Sequence, residues 1–321
     1  LFDYHILKSK KHKIPVICIG NISVGGTGKT PQTNYIAKLL SKDYNIAIVS
    51  RGYGRKSSGF HYVKLDSLAE SVGDEPLQLK YNNPDCIIAV NNNRNKAIKK
   101  IRRDYPETNV VLLDDGFQHR WINAGLNIII TTFKKPYIKD SLIPLGRLRE
   151  NKKGANRSNI ILISKTPCNT NCNKKKELVK NLQLKESQNA YFSSIIYHKY
   201  KSVENNREIE NETEYSVTLV AGIENPNNLV EYLKEHTKKV NLIKFPDHHN
   251  YSSKDIKNIF LEYEKDKSVK KLILTTEKDA TKLRKLLTQY NIIHFYYIPI
   301  DIYIHEKDKF NNQILDYVRK N

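Results

Sequence analysis

The residues best equipped for chemistry come early in the chain. After the apolar run Pro15–Gly20 the sequence reads NISVGGTGKTP over residues 21–31. Gly25, Gly26 and Gly28 let backbone N–H groups converge on a phosphate without interference from Cβ atoms, and Thr27 stands among them. Lys29 is spaced to reach the β and γ phosphates, and Thr30 to hold Mg²⁺ through its hydroxyl. The loop opens a helical window, whose N-terminus favours anions. A strict phosphate loop carries Gly five positions before the Gly of its Gly-Lys pair, and here Ser23 stands there. The competing reading is a plain glycine turn between strand and helix. The strand–loop–helix context favours a nucleoside triphosphate site.

A second acidic motif supports that reading. The run VVLLDDGFQHR, residues 110–120, ends an apolar strand in Asp114 and Asp115. A carboxylate at the carboxyl end of such a strand lies near a phosphate loop and binds Mg²⁺ directly or through water. The alternative is a β-turn, since Asp-Asp-Gly is good turn chemistry. Gln118 and His119 follow, spaced to orient the γ-phosphate or an acceptor hydroxyl, although His119 also suits a packed turn. Guanine recognition is not expected. Residues 164–167 (SKTP) lack the Asp of an NKxD-like element, and residues 276–279 (TEKD) have the wrong spacing. ATP is the expected nucleotide.

These groups need a scaffold, and the chain's periodicity supplies one. Short β-branched runs at Pro15–Gly20, Ile46–Ser50, Cys86–Val90, Val110–Leu113, Leu126–Thr131 and Ile160–Ser164 do not alternate, as expected of parallel strands covered on both faces. Helical windows at Thr30–Leu40, Asp74–Lys80 and Asn93–Asp104 lie between them. The rhythm predicts an α/β fold, a P-loop NTPase-like, doubly wound and mainly parallel sheet. A polar Lys/Asn-rich stretch, 166–188, reads as a surface helix leading out of it. Residues 189–214 read as a linker or strand pair. The rhythm then resumes with strands at Ser216–Ala221, Val240–Phe245, Lys271–Thr275 and Ile293–Ile300, and helices at Asn227–His236, Lys254–Lys265 and Ala280–Leu287. The expected domains are therefore 1–188, which holds the nucleotide, and a second, smaller α/β/α domain at 215–321.

Composition excludes several classes. An apolar share of 39% with 9% aromatic residues is too high for a disordered chain. No apolar run approaches the roughly 18–20 residues a membrane-spanning helix requires. The four cysteines, Cys18, Cys86, Cys168 and Cys172, are too sparse for a disulfide framework, and Cys168 and Cys172 lack a partner pair for zinc. Reduced thiols in a cytosolic setting fit best. Lys and Arg number 54 against 34 Asp and Glu, a net charge of +20. That excess suits nucleic acid, an anionic membrane or a phosphorylated ligand, but the Lys sits with abundant Asn and Ile in polar stretches such as 169–188 and 264–271, which reads as compositional drift.

Taken in order, a set of segments resembles the tetraacyldisaccharide 4′-kinase (lipid A 4′-kinase) family: VGGTGKTP (24–31), SRGYGR (50–55), VGDEP (72–76), LLDDGFQHR (112–120), IPLGRLRE (143–150), AGIENP (221–226), FPDHHNY (245–251) and TTEKDA (275–280). They cover nearly the whole chain. Ser at the first position of the phosphate loop also occurs in that family. The resemblance implies transfer of the γ-phosphate of ATP to the 4′-hydroxyl of tetraacyldisaccharide 1-phosphate, a phosphotransferase reaction with an alcohol acceptor in lipid A biosynthesis. It implies two α/β/α units joined by a short β linker, with catalysis mainly on the first.

Roles follow from combining that resemblance with the needs of phosphoryl transfer, which are charge neutralisation, in-line alignment and a destination for the hydroxyl proton. Lys29, Thr30 and a carboxylate of the Asp114/Asp115 pair supply the first. Asp74 matches the family's proposed general base, and His248 its partner histidine in an Asp–His dyad across the domain cleft. His249 is the less favoured member. By themselves, Asp74 reads as a helix N-cap and His248 as a loop histidine with a structural hydrogen bond. Catalytic roles are thus expected for Asp74, His248, Lys29, Asp115 and Arg149. Nucleotide binding is expected for Gly25, Gly26, Thr27, Gly28, Lys29, Thr30, Arg94, Gln118 and His119, and metal binding for Thr30, Asp114 and Asp115. Arg51, Arg55 and Arg120 are weaker candidates for the triphosphate or the substrate's 1-phosphate, where guanidinium forks suit phosphate oxygens.

The implied substrate carries several acyl chains, so the resemblance places the protein peripherally at the cytoplasmic face of the bacterial inner membrane, as an expected monomer that does not bind nucleic acid. Family members carry an amphipathic or apolar N-terminal helix. The opening LFDYHILKSKKHK and the absence of any Met suggest that such a segment precedes Leu1. Two rival readings stand: a P-loop kinase for a soluble sugar or metabolite, and a nucleotide-switched protein that binds nucleic acid. The second lacks any basic run interleaved with aromatics in a recognised binding motif.

Overall fold

A computed structural model describes residue 2, residues 6–288 and residues 294–321. The chain divides into two compact units, Leu1–Ile196 with Ile302–Asn321, and Tyr197–Asp301. In chain order the larger unit carries β1 (Val16–Gly20), α1 (Lys29–Leu40), β2 (Ile46–Ser50), β3 (His61–Tyr62), α2 (Ala69–Val72), α3 (Asp74–Asn82), β4 (Ile87–Val90), α4 (Arg94–Asp104), β5 (Val110–Asp114), β6 (Leu126–Thr132), β7 (Ile160–Ser164), α5 (Cys172–Leu182) and β8 (Asn189–Tyr197). The smaller unit follows with β9 (Lys201–Ser202), β10 (Ser216–Ala221), α6 (Asn227–His236), β11 (Lys239–Lys244), α7 (Ser253–Lys265), β12 (Lys271–Thr276), α8 (Glu277–Thr288) and β13 (Phe295–Ile298). Then β14 (Ile300–Ile304) and α9 (Lys307–Arg319) lead back to the larger unit.

The large sheet has the order β14-β8-β7-β6-β1-β5-β2-β4-β3. β1 lies between β5 and β6, parallel to both. Every residue of β1, β2, β5 and β7 is buried, which is why these runs show no alternation. Alternate side chains of β1 feed two different cores. Ile17 and Ile19 join Ile36 and Leu40 of α1, whereas Val16 and Cys18 join Ile98 and Ile101 of α4. Helices thus cover both faces, as a doubly wound sheet requires. The smaller sheet, β11-β10-β12-β13-β9, is parallel except for β9, which pairs antiparallel with β13.

Two expectations about organisation need correction. Residues 189–214 do not form a separate linker, because β8 is a full strand of the large sheet, paired parallel with β7 and burying Tyr191 and Phe192. Nor does the smaller unit run to the C-terminus. Phe310, Ile314 and Val318 of α9 are buried in the core that holds Ile17 and Ile36. Tyr317 secures that return: Val16 N–H donates to its hydroxyl at 3.1 Å, and the hydroxyl donates to Val16 O at 3.1 Å. The strand expected over Ile293–Ile300 breaks at Pro299, which has no N–H for a ladder and separates β13 from β14. Ile293 lies outside the described residues. No helix among the described residues is long and apolar enough to cross a membrane.

Candidate active site

The phosphate loop leaves β1 in an extended conformation and then tightens. Ile22, Ser23 and Val24 pair with a strap from the IPLGRLRE segment. Val24 N–H donates to Arg147 O at 2.7 Å, Arg149 N–H donates to Ile22 O at 2.7 Å, and Ser23 bridges Leu148. This pairing explains why Ser serves where a strict loop has Gly. Position 23 is bridged to Leu148 and has no positive φ, whereas Gly25 (φ 103°) and Gly28 (φ 88°) turn into conformations that favour glycine. Thr27 is clamped between them: its hydroxyl accepts from Asn21 Nδ2 at 2.8 Å and its carbonyl from Ser164 Oγ at 2.7 Å. α1 then starts at Lys29 with no side chain capping it. Its first-turn N–H groups are thereby left to a ligand, and an anion is the ligand they favour.

The two carboxylates that end β5 have different surroundings. Strand register sets Asp114 beside Ile19 of β1, fully buried. It accepts from Thr33 Oγ1 at 2.9 Å and Ser50 Oγ at 3.3 Å. Burial, with the Glu75 and Asp115 carboxylates nearby, pushes its carboxyl up to about 7. Asp115 turns out of the strand at φ 50°, a left-handed conformation that Asp adopts more readily than most residues. Its carboxylate lies 3.8 Å from Lys29 Nζ and 3.4 Å from Arg149 Nη1. Arg149 Nη1 also stands 3.5 Å from Gln118 Oε1, and Gln118 Nε2 donates to Asn21 O at 2.7 Å and Glu150 Oε1 at 3.0 Å. Lys29, Asp115, Gln118 and Arg149 therefore form one connected group against the phosphate loop.

A second cationic group adjoins it. Arg94, the first residue of α4, is only 6% exposed. It donates to Asn92 O at 3.0 Å and to Asp115 O at 3.4 Å, while its Nε is buried with no hydrogen-bond partner. His119 Nε2 is likewise buried without a partner. Burial, then the Arg94 and Arg51 charges, pushes the His119 imidazole down to about 4, so it is neutral at physiological pH. Two weaker candidates are engaged elsewhere. Arg55 Nη2 donates to Gly59 O at 2.7 Å within its own loop, and the Arg120 guanidinium lies 5.0 Å from the centre of the Phe2 ring.

Asp74 is the first residue of α3 and 6% exposed, and one of its oxygens accepts from the Glu75 N–H at 3.0 Å. Gly73, at φ 94°, sets its entry. A Cβ on Gly73 would come within 3.2 Å of Gly52 Cα and of Tyr53 O, and one on Gly52 within 2.8 Å of Val72 O. The SRGYGR and VGDEP segments are thus held backbone against backbone.

In the smaller unit, three further segments meet beyond the carboxyl ends of parallel strands, where open α/β sheets bind ligands. Fully buried Asp279 accepts from Gly222 N–H at 2.9 Å and Thr276 Oγ1 at 2.7 Å. The loop after β11 places its two histidines differently. His248 adopts φ 60°, with Lys278 Nζ 3.2 Å from its Nε2 and 3.1 Å from Asp247 Oδ1. His249 stacks on Phe245 at 4.7 Å and lies 3.1 Å from Asp255 Oδ2, the carboxylate that also caps α7. His249 has a packing role, whereas His248 sits on the loop beside a cation.

Among the described residues, no group of three or more His, Cys, Asp or Glu is placed to hold a metal ion. Mg²⁺ does not need such a cage, since it is usually held by one or two protein groups with phosphate and water completing its shell. The partly exposed Asp115 carboxylate and the Thr30 hydroxyl are the groups that fit. Asn21, Ser164 and Arg147 support the loop and were not among the expected site residues, because only tertiary pairing brings them there, whereas Arg149 of the same strap was expected from its motif.

A family model described as tetraacyldisaccharide-1-P 4′-kinase matches residues 1–319. The chain is 42% identical over 337 residues to a tetraacyldisaccharide 4′-kinase of Bacteroides thetaiotaomicron, covering 100% of this chain and 89% of that protein. It is 40% identical over 327 residues to one of Flavobacterium johnsoniae, covering 100% and 92%. Among solved structures it is similar to LpxK from Aquifex aeolicus in complex with ATP, with a TM-score of 0.75 and 27% identity over 99% of this chain and 92% of that one.

Proposed function

Since this chain belongs to the tetraacyldisaccharide-1-P 4′-kinase family, we propose that it transfers the γ-phosphate of ATP to the 4′-hydroxyl of a tetraacyldisaccharide 1-phosphate, with Mg²⁺. The observation that carries the reading is Asp115 standing between Lys29 and Arg149 against an uncapped helix N-terminus. In the reaction the bond from the γ-phosphorus to the β–γ bridging oxygen breaks, a bond to O4′ forms, ADP leaves and the hydroxyl proton goes to a base.

The loop N–H groups and Lys29 hold the β and γ phosphates, and Arg149 neutralises charge that spreads over the transferring group. Mg²⁺, when bound, draws charge from the phosphate oxygens. Asp115 and Thr30 are its proposed protein ligands, with Asp114 behind them held by Thr33 and Ser50. Arg94, whose Nε is unpartnered, and neutral His119 offer donors to phosphate oxygens. Asp74 is proposed as the acceptor of the hydroxyl proton and His248 as the group that tunes it. Gln118 orients Arg149. The protein works peripherally, at the cytoplasmic face of the inner membrane.

The test incubates the protein with γ-labelled ATP, Mg²⁺ and tetraacyldisaccharide 1-phosphate in detergent, beside Asp74→Ala and His248→Ala. Labelled lipid is expected from the unaltered chain, with turnover lower by about 10²–10⁴-fold in Asp74→Ala and by a smaller factor in His248→Ala. Equal labelling by Asp74→Ala removes that residue from its role. Label appearing only on a soluble sugar acceptor overturns the lipid reading.

A further inference from the structure

We propose that the loop Leu142–Leu145 is a membrane-insertion tip that sinks into the acyl region of an anionic bilayer beside the phosphate-transfer site. Leu142, Ile143 and Leu145 are 47%, 54% and 91% exposed. Scattered exposed apolar side chains are ordinary, but three within four positions at the tip of a firmly held turn are not.

The turn is closed by Gly146 N–H donating to Leu142 O at 3.0 Å and Ile143 N–H donating to Leu148 O at 3.1 Å. Asp140 Oδ1 accepts from the Ser141 and Arg147 N–H groups, and Asp140 Oδ2 meets Arg147 Nε at 3.1 Å. A turn held this way cannot fold its leucines inward, so their exposure is part of its design. The same strap that leaves the tip, Arg147–Arg149, pairs with the phosphate loop at Ile22 and Val24. The tip is therefore rigidly continuous with the site.

Charge points to the occupant. Exposed Lys134, Lys135 and Lys139 precede the tip and exposed Lys152 and Lys153 follow it, and Lys152 Nζ donates to Ile138 O at 2.7 Å, which brings the two runs together. The acids of this stretch, Asp140 and Glu150, are already paired with Arg147 and Arg157. An apolar tip inside a lysine collar suits acyl chains beneath anionic headgroups. The inference rests on the lipid-substrate reading above for its biological sense, but its test does not use the kinase reaction.

The chain has one tryptophan, Trp121. In a Trp121→Phe background, Leu145→Trp gives a single reporter at the tip, and Leu142→Trp a second should the first fail to fold. Vesicles of phosphatidylethanolamine with phosphatidylglycerol, without substrate or ATP, are expected to shift its emission to shorter wavelength, and brominated acyl chains to quench it. Leu145→Asp in the unaltered background is expected to weaken vesicle partitioning about tenfold or more, with transfer to detergent-dispersed substrate retained. No shift at either position overturns the proposal. A shift without acyl-chain quenching also overturns it, because contact then stops at the headgroups. If transfer is blank while quenching is seen, the kinase reading fails and the insertion tip stands.

Discussion

His119 illustrates how surroundings rather than identity set a side chain's chemistry. Its ring is half-buried beside Arg94 and Arg51, and the folded state holds it neutral down to about pH 4. A histidine with a depressed pKa favours the fold while neutral, so its contribution is present above the unfolded value of about 6.5 and is lost as pH falls towards 4. His119→Gln should therefore remove part of the acid sensitivity. The melting temperature of the unaltered protein, compared with the variant from pH 7.5 to 4, should fall behind by about 2–4 °C for each kcal/mol involved. Parallel melting curves across that range would show that the ring is not held neutral. The contrast between Asp114, tied inside by Thr33 and Ser50, and Asp115, turned out to Lys29 and Arg149, teaches the same lesson for neighbouring residues of one type.

Asp74 depends on how two loops lock. Gly52 (φ 69°) and Gly73 (φ 94°) meet backbone to backbone, and no side chain fits between them. Gly73→Ala should cost about 1–3 kcal/mol in strain. Because it displaces the start of α3, it should also lower turnover by about 10²-fold, as a misplacement near 1 Å commonly does. Gly54→Ala is the control. Gly54 also has a positive φ (74°), but a Cβ there meets nothing within 4 Å, so some stability should be lost with turnover retained. Equal turnover in Gly73→Ala and the unaltered protein would show that the lock does not position Asp74. The strap Arg147–Arg149 is a comparable device: it pairs with the loop from residues far along the chain and delivers Arg149 to Asp115.

The chain builds its larger unit from both of its ends, with the smaller unit inserted between them. The C-terminal helix is part of the larger unit's core, and Tyr317 bonds both backbone groups of Val16, the first residue of the strand that leads into the glycine-rich loop. Tyr317→Phe removes both bonds and should destabilise the larger unit by about 1–3 kcal/mol. Hydrogen exchange would localise the effect, with amides of Val16–Gly20 expected to exchange faster and those of Ser216–Ala221 at an unchanged rate. Equal acceleration in both strands would mean that the two units unfold as one.

Local pattern was enough for most elements and for the phosphate loop. The strands Ile46–Ser50, Ile160–Ser164 and Ser216–Ala221 and the helix Asn227–His236 were legible to the residue, because parallel strands buried on both faces must be continuous apolar runs and surface helices must show a 3.6-residue period. The Gly25–Lys29 turn was legible because its spacing is set by backbone geometry within one strand–loop–helix unit, and the Asp114/Asp115 pair because it ends a separate apolar run, β5. Family membership was carried by motifs spread over the whole length. What only the tertiary structure decided is where residues distant in sequence meet. The pairing of Ser23 with Leu148, the closure of Gly52 on Gly73 and the return of Phe310 and Tyr317 to the first strand are all of this kind. So are the different surroundings of Asp114 and Asp115, and of His248 and His249. Local sequence sets which conformations a segment prefers, whereas these contacts depend on sheet order and on which surfaces are left to be covered, and neither is written in any single window of the chain.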